Sequence, residues 1–211
     1  MSNPYEFYPR EYDRWYDKNR PAYLSELECI KESIPSAGVG LEIGVGTGRF
    51  AAPLGIEWGI DPIREMLLQV REHGVRVIQG DGSILPFNPE SFDYVVMVTV
   101  LCFLSFPKQI IEEAHRVLKD DGRLIVGFVD RESYLGKIYQ AKKSKSRFYR
   151  DAKFYSVREV LQLFPSFNWG DIEIRQTLFE SVGETDAVQS SREGWGEGGF
   201  VVVLGRKITK R

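Results

Sequence analysis

Through the middle of the chain, short apolar runs alternate with segments whose apolar residues recur every three to four positions. Val39–Ile43, Ile56–Ile60, Val75–Gln79, Phe92–Val98 and Leu124–Val129 read as strands. Phe92–Val98 is nearly continuous in apolar character, the pattern of a strand covered on both faces in a parallel sheet. Thr47–Leu54, Pro62–Glu72 and Pro107–Leu118 read as helices between them. The second closes at His73-Gly74; the third turns Ile110, Ile111, Ala114, Val117 and Leu118 inward and stops at "KDDG". Upstream, Pro21 to Ile34 predicts a helix with proline at its first position and Tyr23, Leu27, Ile30 and Ile34 on one stripe. The alternation predicts an α/β, doubly wound, mostly parallel sheet with right-handed crossovers.

The last third differs. Ser156 and Glu159 form a capping box that opens a helix at "SVREVLQLF". Two strand-like runs follow, Asp171–Leu178 and Phe200–Leu204, with no helical pattern between them. They predict an antiparallel hairpin with a long, glycine-rich connection, which brings the sheet to seven strands.

Composition narrows the setting. The 211 residues are 43% hydrophobic, enough for one good-sized core, and a formal net charge of −2 gives no global attraction to nucleic acid or anionic lipid. Cys29 and Cys102 are too few for a disulfide framework and form no metal-type pair. The longest apolar run, Val95 to Leu104, falls short of the roughly 20 residues that span a bilayer. The N-terminus has no apolar signal core, so a cytoplasmic location is expected, with no membrane partner and no metal.

The candidate chemistry begins at "LEIGVGTGRF", Leu41 to Phe50, where Gly44, Gly46 and Gly48 follow an apolar run. Glycine inside a regular element costs roughly 0.5–1 kcal/mol, so the cluster implies a tight turn or a backbone that approaches a ligand. Leaving a first strand at the carboxyl edge of a parallel sheet, it sits where such sheets bind ligands. Two cofactor classes compete. The dinucleotide fingerprint G-x-G-x-x-G would need glycine at position 49, which holds arginine. Glu42 would repel a pyrophosphate but would attract an ammonium or sulfonium, while N–H groups at Thr47–Gly48, the expected helix start, would face a carboxylate. S-adenosylmethionine carries all three groups. Asp61, in "GIDP", ends the second strand, where its two oxygens would accept from both ribose hydroxyls. Asp81, in "QGDGSILPF", ends the third, where it would accept from an adenine amino group while the Gly82 or Ser83 backbone reaches the ring. Ile63 and Leu85 are candidates to sandwich the purine.

"LEIGVGTGRF … GIDPIREML … VIQGDGSILPFNPESFDYVVMV … EEAHRVLKDDGRLIV" resembles the class I S-adenosylmethionine-dependent methyltransferases. It is most similar to small bacterial and archaeal members with "E-x-G-x-G-T-G" and "D-x-x-x-L-P-F" signatures. The likeness runs from about Val39 to Val129. It implies Glu42, Gly44 and Gly46 at the methionine end, Asp61 at the ribose and Asp81 at the adenine. It places Val98 and Thr99 toward the methyl group and the acceptor. It also implies that residues 1–36 form a helical lid over a Rossmann-like domain of residues 37–211, with a substrate-side insertion near 131–155.

Three segments outside that core are where an acceptor would be read. The N-terminal stretch is rich in aromatics, among them Tyr8, Tyr12, Trp15 and Tyr16; residues 142–150 are locally basic, and nucleic acid is a partner they would suit. Trp195 sits in a glycine-rich loop at 181–199. Tyr16, Thr99 and Tyr134 are candidates for positioning a substrate, while His73, His115 and Cys102 read as structural. Methyl transfer needs no fixed catalytic dyad, because alignment alone can supply about 7–11 kcal/mol. The fourth strand lacks the Asn/Asp-Pro-Pro-Tyr/Phe loop of many amide and adenine methylases and the Pro-Cys pair of cytosine-C5 enzymes. The expected activity is therefore in-line transfer to N or O of a small molecule. The alternatives are an RNA or protein acceptor, an NAD-type oxidoreductase, or a cofactor-binding protein without catalysis.

Overall fold

The computed structural model describes residues 3–70, 74–164, 169–183 and 186–208. His73 lies outside the described residues, as do two positions of the 181–199 loop. The sheet is built from β1 (Gly40–Ile43), β2 (Trp58–Asp61), β3 (Arg76–Gln79), β4 (Phe92–Val98), β5 (Leu118–Val129), β6 (Trp169–Thr177), β7 (Arg192–Glu193) and β8 (Phe200–Lys207). Their order across the sheet is β3-β2-β1-β4-β5-β8-β6-β7. The first five pair in parallel, while β8 runs antiparallel to both β5 and β6. The count is eight rather than seven because the β6–β8 connection lays the two-residue β7 back along β6.

Helices α1 (Pro4–Phe7), α2 (Pro9–Lys18) and α3 (Arg20–Lys31) precede β1. After it come α4 (Ala51–Leu54), α5 (Arg64–Val70), α6 (Pro107–Val117), α7 (Tyr134–Lys142) and α8 (Val157–Leu161). Alternation along β4 divides the core. Tyr94, Val96 and Val98 pack with α3 and α5 on one face, and Val95 and Met97 pack with α6 and α8 on the other. Successive strand side chains point to opposite faces, so a strand apolar at every position is what two covering layers require.

Two of the boundaries that differ from expectation have a clear local cause. The helix expected at Thr47 begins at Ala51, because Gly46 and Gly48 adopt φ of +53° and +83°, outside the helical region. Strand β5 starts at Leu118, before "KDDG", which forms a register shift against β4 with Asp121 at φ +61° instead of ending the pairing. The long connection into β8 is held by side chains: Gln176 Oε1 accepts the N–H groups of Glu197 and Gly198 at 2.9 and 2.7 Å, and Gln189 N donates to Ser25 Oγ at 2.8 Å.

Candidate active site

The carboxyl ends of β1, β2, β3 and β4 open onto a cavity of about 540 Å³. Gly44, Gly46, Asp61, Ile63, Asp81, Ser83, Val98 and Thr99 all line it, so eight expected residues from four strand ends share one space. Gly44 is required by both geometry and contact: φ is +76°, and a Cβ there would lie 2.3 Å from Val100 Cγ2. At Gly46 the nearest atom to an added Cβ is Met66 Cε at 3.5 Å, so there the missing side chain leaves backbone facing the cavity.

Asp61 is 8% exposed. Its Oδ2 accepts the Gly46 N–H at 3.0 Å and its Oδ1 accepts the Ile63 N–H at 2.9 Å. Burial raises its pKa and those two backbone bonds oppose the shift. A carboxylate has about four acceptor sites, so each oxygen keeps one for a ligand hydroxyl. Asp81 is exposed; the Ser83 hydroxyl and backbone N–H, at 2.6 and 2.9 Å from Oδ1, hold it below the usual carboxylate range.

Other expected residues are placed differently. Glu42 lies within β1 behind the cavity, 2% exposed, with Oε2 buried and unpartnered. Burial pushes its carboxyl well above the ordinary range; the Ala51 N–H opposes this and the charge of Asp61 adds to it. Thr47 is buried with its hydroxyl donating to Asp13 at 2.6 Å, and the Gly48 N–H donates to Val45 O at 2.8 Å, so this segment presents no free helix start. Gly82 is a buried turn residue at φ +80°, and the Ser83 N–H is already committed to Asp81. Leu85 is core, its N–H bonded to Glu113 at 2.7 Å; Met66 and Ile110 line the cavity with Ile63 instead.

Arg49, the residue that breaks the dinucleotide spacing, fastens helix α2 to the glycine loop. Its Nε donates to Asp13 at 2.7 Å, its Nη2 makes a second bond to Asp13, and Nη1 reaches Asp17 at 2.8 Å. The basic segment is partly consumed in the same way: Arg147 pairs with Glu11, sits 4.2 Å from the Tyr8 ring centroid and lines the cavity with Phe148.

Thr99, at the end of β4, adopts φ +51°, rare for a β-branched residue. With Tyr12 it lines both the large cavity and a second one of about 330 Å³. Tyr16 belongs to the second cavity, its hydroxyl 2.8 Å from that of Tyr12. Burial pushes the Tyr12 phenol up to about 12 and Tyr16 well above its ordinary value, so neither acts as a base near neutrality. Tyr134 is 65% exposed at the start of α7 and lines none of these spaces, nor does the exposed Trp195. His115 packs edge-on to Trp169, away from the cavities. Among the described residues no cluster of three or more His, Cys, Asp or Glu could hold a metal, and no helix is long and apolar enough to cross a membrane.

Sequence reading missed Tyr5 and Phe103, which line the large cavity, and Glu26, which lines the second. The signal for Glu26 was present: it is an acidic residue three positions from Tyr23 and four from Ile30, on the buried face of α3.

The chain belongs to the S-adenosylmethionine-dependent methyltransferases. Residues 41–126 match the family model described as a methyltransferase domain. A methyltransferase of that class from Thermotoga maritima, named as a possible histamine N-methyltransferase, superimposes with a TM-score of 0.93 at 45% identity, covering 97% of this chain and 98% of that one. An uncharacterised protein of Methanocaldococcus jannaschii is 47% identical over 206 residues, 98% of this chain and 100% of its own length. A phosphoethanolamine N-methyltransferase of Haemonchus contortus, crystallised with S-adenosylhomocysteine, shares the fold: TM-score 0.64 at 16% identity, over 87% of this chain and 52% of that one. The cofactor is S-adenosylmethionine. The site suits it: an open glycine backbone, a diol-sized carboxylate and a buried carboxyl oxygen lacking a donor converge on one edge of the sheet.

Proposed function

We propose that this chain moves a methyl group to a nitrogen or oxygen of a small-molecule acceptor by in-line displacement. The observation that carries this reading is the meeting of two cavities at Tyr12 and Thr99. The larger is edged by the glycine loop. The smaller, about 330 Å³, falls in the range of small-ligand sites and is walled by the chain's own N-terminal helices. When bound, the cofactor supplies a methyl on a sulfonium that departs as a neutral thioether, so the chain's task is alignment and exclusion of water.

In this reading Asp61 takes the ribose hydroxyls on the acceptor sites its backbone bonds leave open. Oδ2 of Asp81, opposite the oxygen engaged by Ser83, takes the adenine amino group. Ile63 packs on the purine, and Gly44 and Gly46 admit the methionine end, with the Glu42 carboxyl behind them, where a ligand cation would restore the ionised form that burial disfavours. Val98 and Thr99 face the transferring methyl. Thr47 and Gly82 act on the shape of the loops, and Tyr134, which lines neither cavity, is given no part in this scheme.

Calorimetric titration with S-adenosylhomocysteine tests the assignment. A hydrogen bond to a charged group is worth about 1.5–3 kcal/mol. Two such bonds lost in Asp61→Ala predict binding at least about 100-fold weaker than wild type. The exposed Asp81→Ala is expected to cost about 10-fold. Saturable binding of NAD without binding of S-adenosylhomocysteine would overturn the reading.

A further inference from the structure

The smaller cavity contains a carboxylate that the cofactor site does not use. Glu26 sits in the middle of α3 and is 4% exposed, among the buried Ala22, Tyr23, Cys29 and Ile30 of the same helix. Among the described residues it has no hydrogen-bond or ion-pair partner. The fully sealed side-chain atoms that lack a partner include Glu42 Oε2 but neither Glu26 oxygen, so the Glu26 carboxyl opens onto the cavity, where desolvation without a partner carries a cost that an apolar residue would not incur. A carboxyl kept only for packing would be expected to bond a neighbour; the nearby Tyr12 and Tyr16 hydroxyls are bonded to each other instead.

The rest of the cavity supplies the second observation. Tyr12, Trp15, Tyr16, Tyr139, Phe148 and Tyr149 line it together with Glu26. Aromatic faces attract organic cations, most strongly where water is excluded. Arg14 and Lys18 also line the cavity but are exposed, and neither pairs with Glu26; Glu11 is committed to Arg147. A lone buried carboxylate enclosed by aromatic rings is a receptor for positive charge and repels anionic acceptors.

We propose that this cavity seats the ammonium group of the acceptor, with Glu26 as its counter-ion and the aromatic rings as its walls. A second, neutral nitrogen or oxygen of the same molecule then extends past Tyr12 and Thr99 toward Val98; its lone pair would form the new bond to the methyl carbon as the carbon–sulfur bond breaks, and any proton it carried would be released to solvent. The proposal rests on the small-molecule methyltransferase reading and adds the substrate class: small amines that carry a separate nucleophile. Glu26 is a binding residue in this scheme, and the methyl is accepted elsewhere on the molecule. Burial alone pushes the Glu26 carboxyl up to about 8, and an ammonium opposite it would restore the ionised form.

The test uses the full chain saturated with S-adenosylhomocysteine, titrated calorimetrically with histamine, tyramine and tryptamine, and with 4-methylimidazole as a probe lacking the ammonium. Saturable binding of at least one amine is expected, with 4-methylimidazole at least 30-fold weaker than histamine if histamine binds. Glu26→Gln is expected to weaken the bound amine at least 30-fold while leaving S-adenosylhomocysteine affinity unchanged, which also reports an intact fold. The comparison between amines and 4-methylimidazole is made on the wild type and does not depend on the variant. Absence of binding by all three amines, or equal binding by wild type and variant, overturns the cation site. Failure of S-adenosylhomocysteine itself to bind overturns the methyltransferase reading beneath it.

Discussion

Replacing Glu26 by glutamine should stabilise the ligand-free protein at alkaline pH. Burial holds the Glu26 carboxyl at about 8 in the fold against an ordinary 4.5. Each pKa unit is worth about 1.4 kcal/mol, so ionising this group inside the core costs at most about 5 kcal/mol. The sign follows from which state holds the proton more tightly. The folded state does, so the stability contributed by protonated Glu26 is complete below pH 4.5 and is lost as pH rises through about 8. Glutamine has nothing to lose, so the advantage of the variant grows from near zero at pH 4.5 to its maximum above pH 8. Urea unfolding of both proteins at pH 5, 7 and 9 measures the difference directly. Other carboxyls that burial raises, Glu42, Asp61 and Asp130, are common to both proteins and cancel. The cavity tyrosines Tyr12, Tyr16, Tyr139 and Tyr149 are all raised from 10 and stay neutral at pH 9. The lining groups Glu11, Arg14 and Lys18 are likewise present in both. Parallel pH profiles for wild type and variant would refute the reasoning, because they would mean Glu26 is already compensated in the fold.

Two further perturbations separate structure from ligand binding. Gly44→Ala places a Cβ 2.3 Å from Val100 Cγ2 at φ +76°, whereas Gly46→Ala meets nothing closer than 3.5 Å at φ +53°. The first should destabilise by roughly 2–4 kcal/mol through overpacking and backbone strain, and the second by about 1–2 kcal/mol from the left-handed conformation alone. Thermal unfolding that lowered both equally would contradict this, and both variants should bind S-adenosylhomocysteine more weakly. Asp13→Ala removes the acceptor shared by Thr47 and Arg49, leaving Arg49 only the more exposed Asp17. About 2–3 kcal/mol of stability should go, with faster amide exchange in residues 9–18. Unchanged exchange there would show that aromatic packing alone holds α2.

The buried strands were legible because a strand covered on both faces must be apolar at nearly every position, as Val95–Val98 are. The glycine loop misled the helix assignment because its glycines serve left-handed turns, which leave only Ala51–Leu54 helical. Asp61 could be placed at the cavity because "GIDP" puts a carboxylate at the end of a strand, the edge at which parallel sheets bind ligands, although the same pattern would also cap a helix. Leu85 could not be told from Ile110, since which of them reaches the cavity depends on how α6 crosses the sheet. Strand β7 has two residues and exists only through pairing with β6, so no local pattern announces it. Glu26 was overlooked for a different reason: its place between Tyr23 and Ile30 on the buried stripe was readable, but Arg20, Glu28 and Lys31 on the same helix are ordinary exposed charges and gave no reason to single it out.

Helix α2 has two employments. One side carries Tyr12, Trp15 and Tyr16 into the smaller cavity, and the other holds Asp13 and Asp17 against Arg49 of the loop that edges the larger one. A ligand that shifts this helix from either side therefore changes the site on the other. By thermodynamic reciprocity, whatever factor the nucleoside ligand contributes to acceptor affinity, the acceptor must return to the nucleoside ligand. A screen for acceptors run on the bare protein would then be searching a different state from the one the nucleoside ligand selects, and the coupling between the two ligands becomes a property of ten residues of helix.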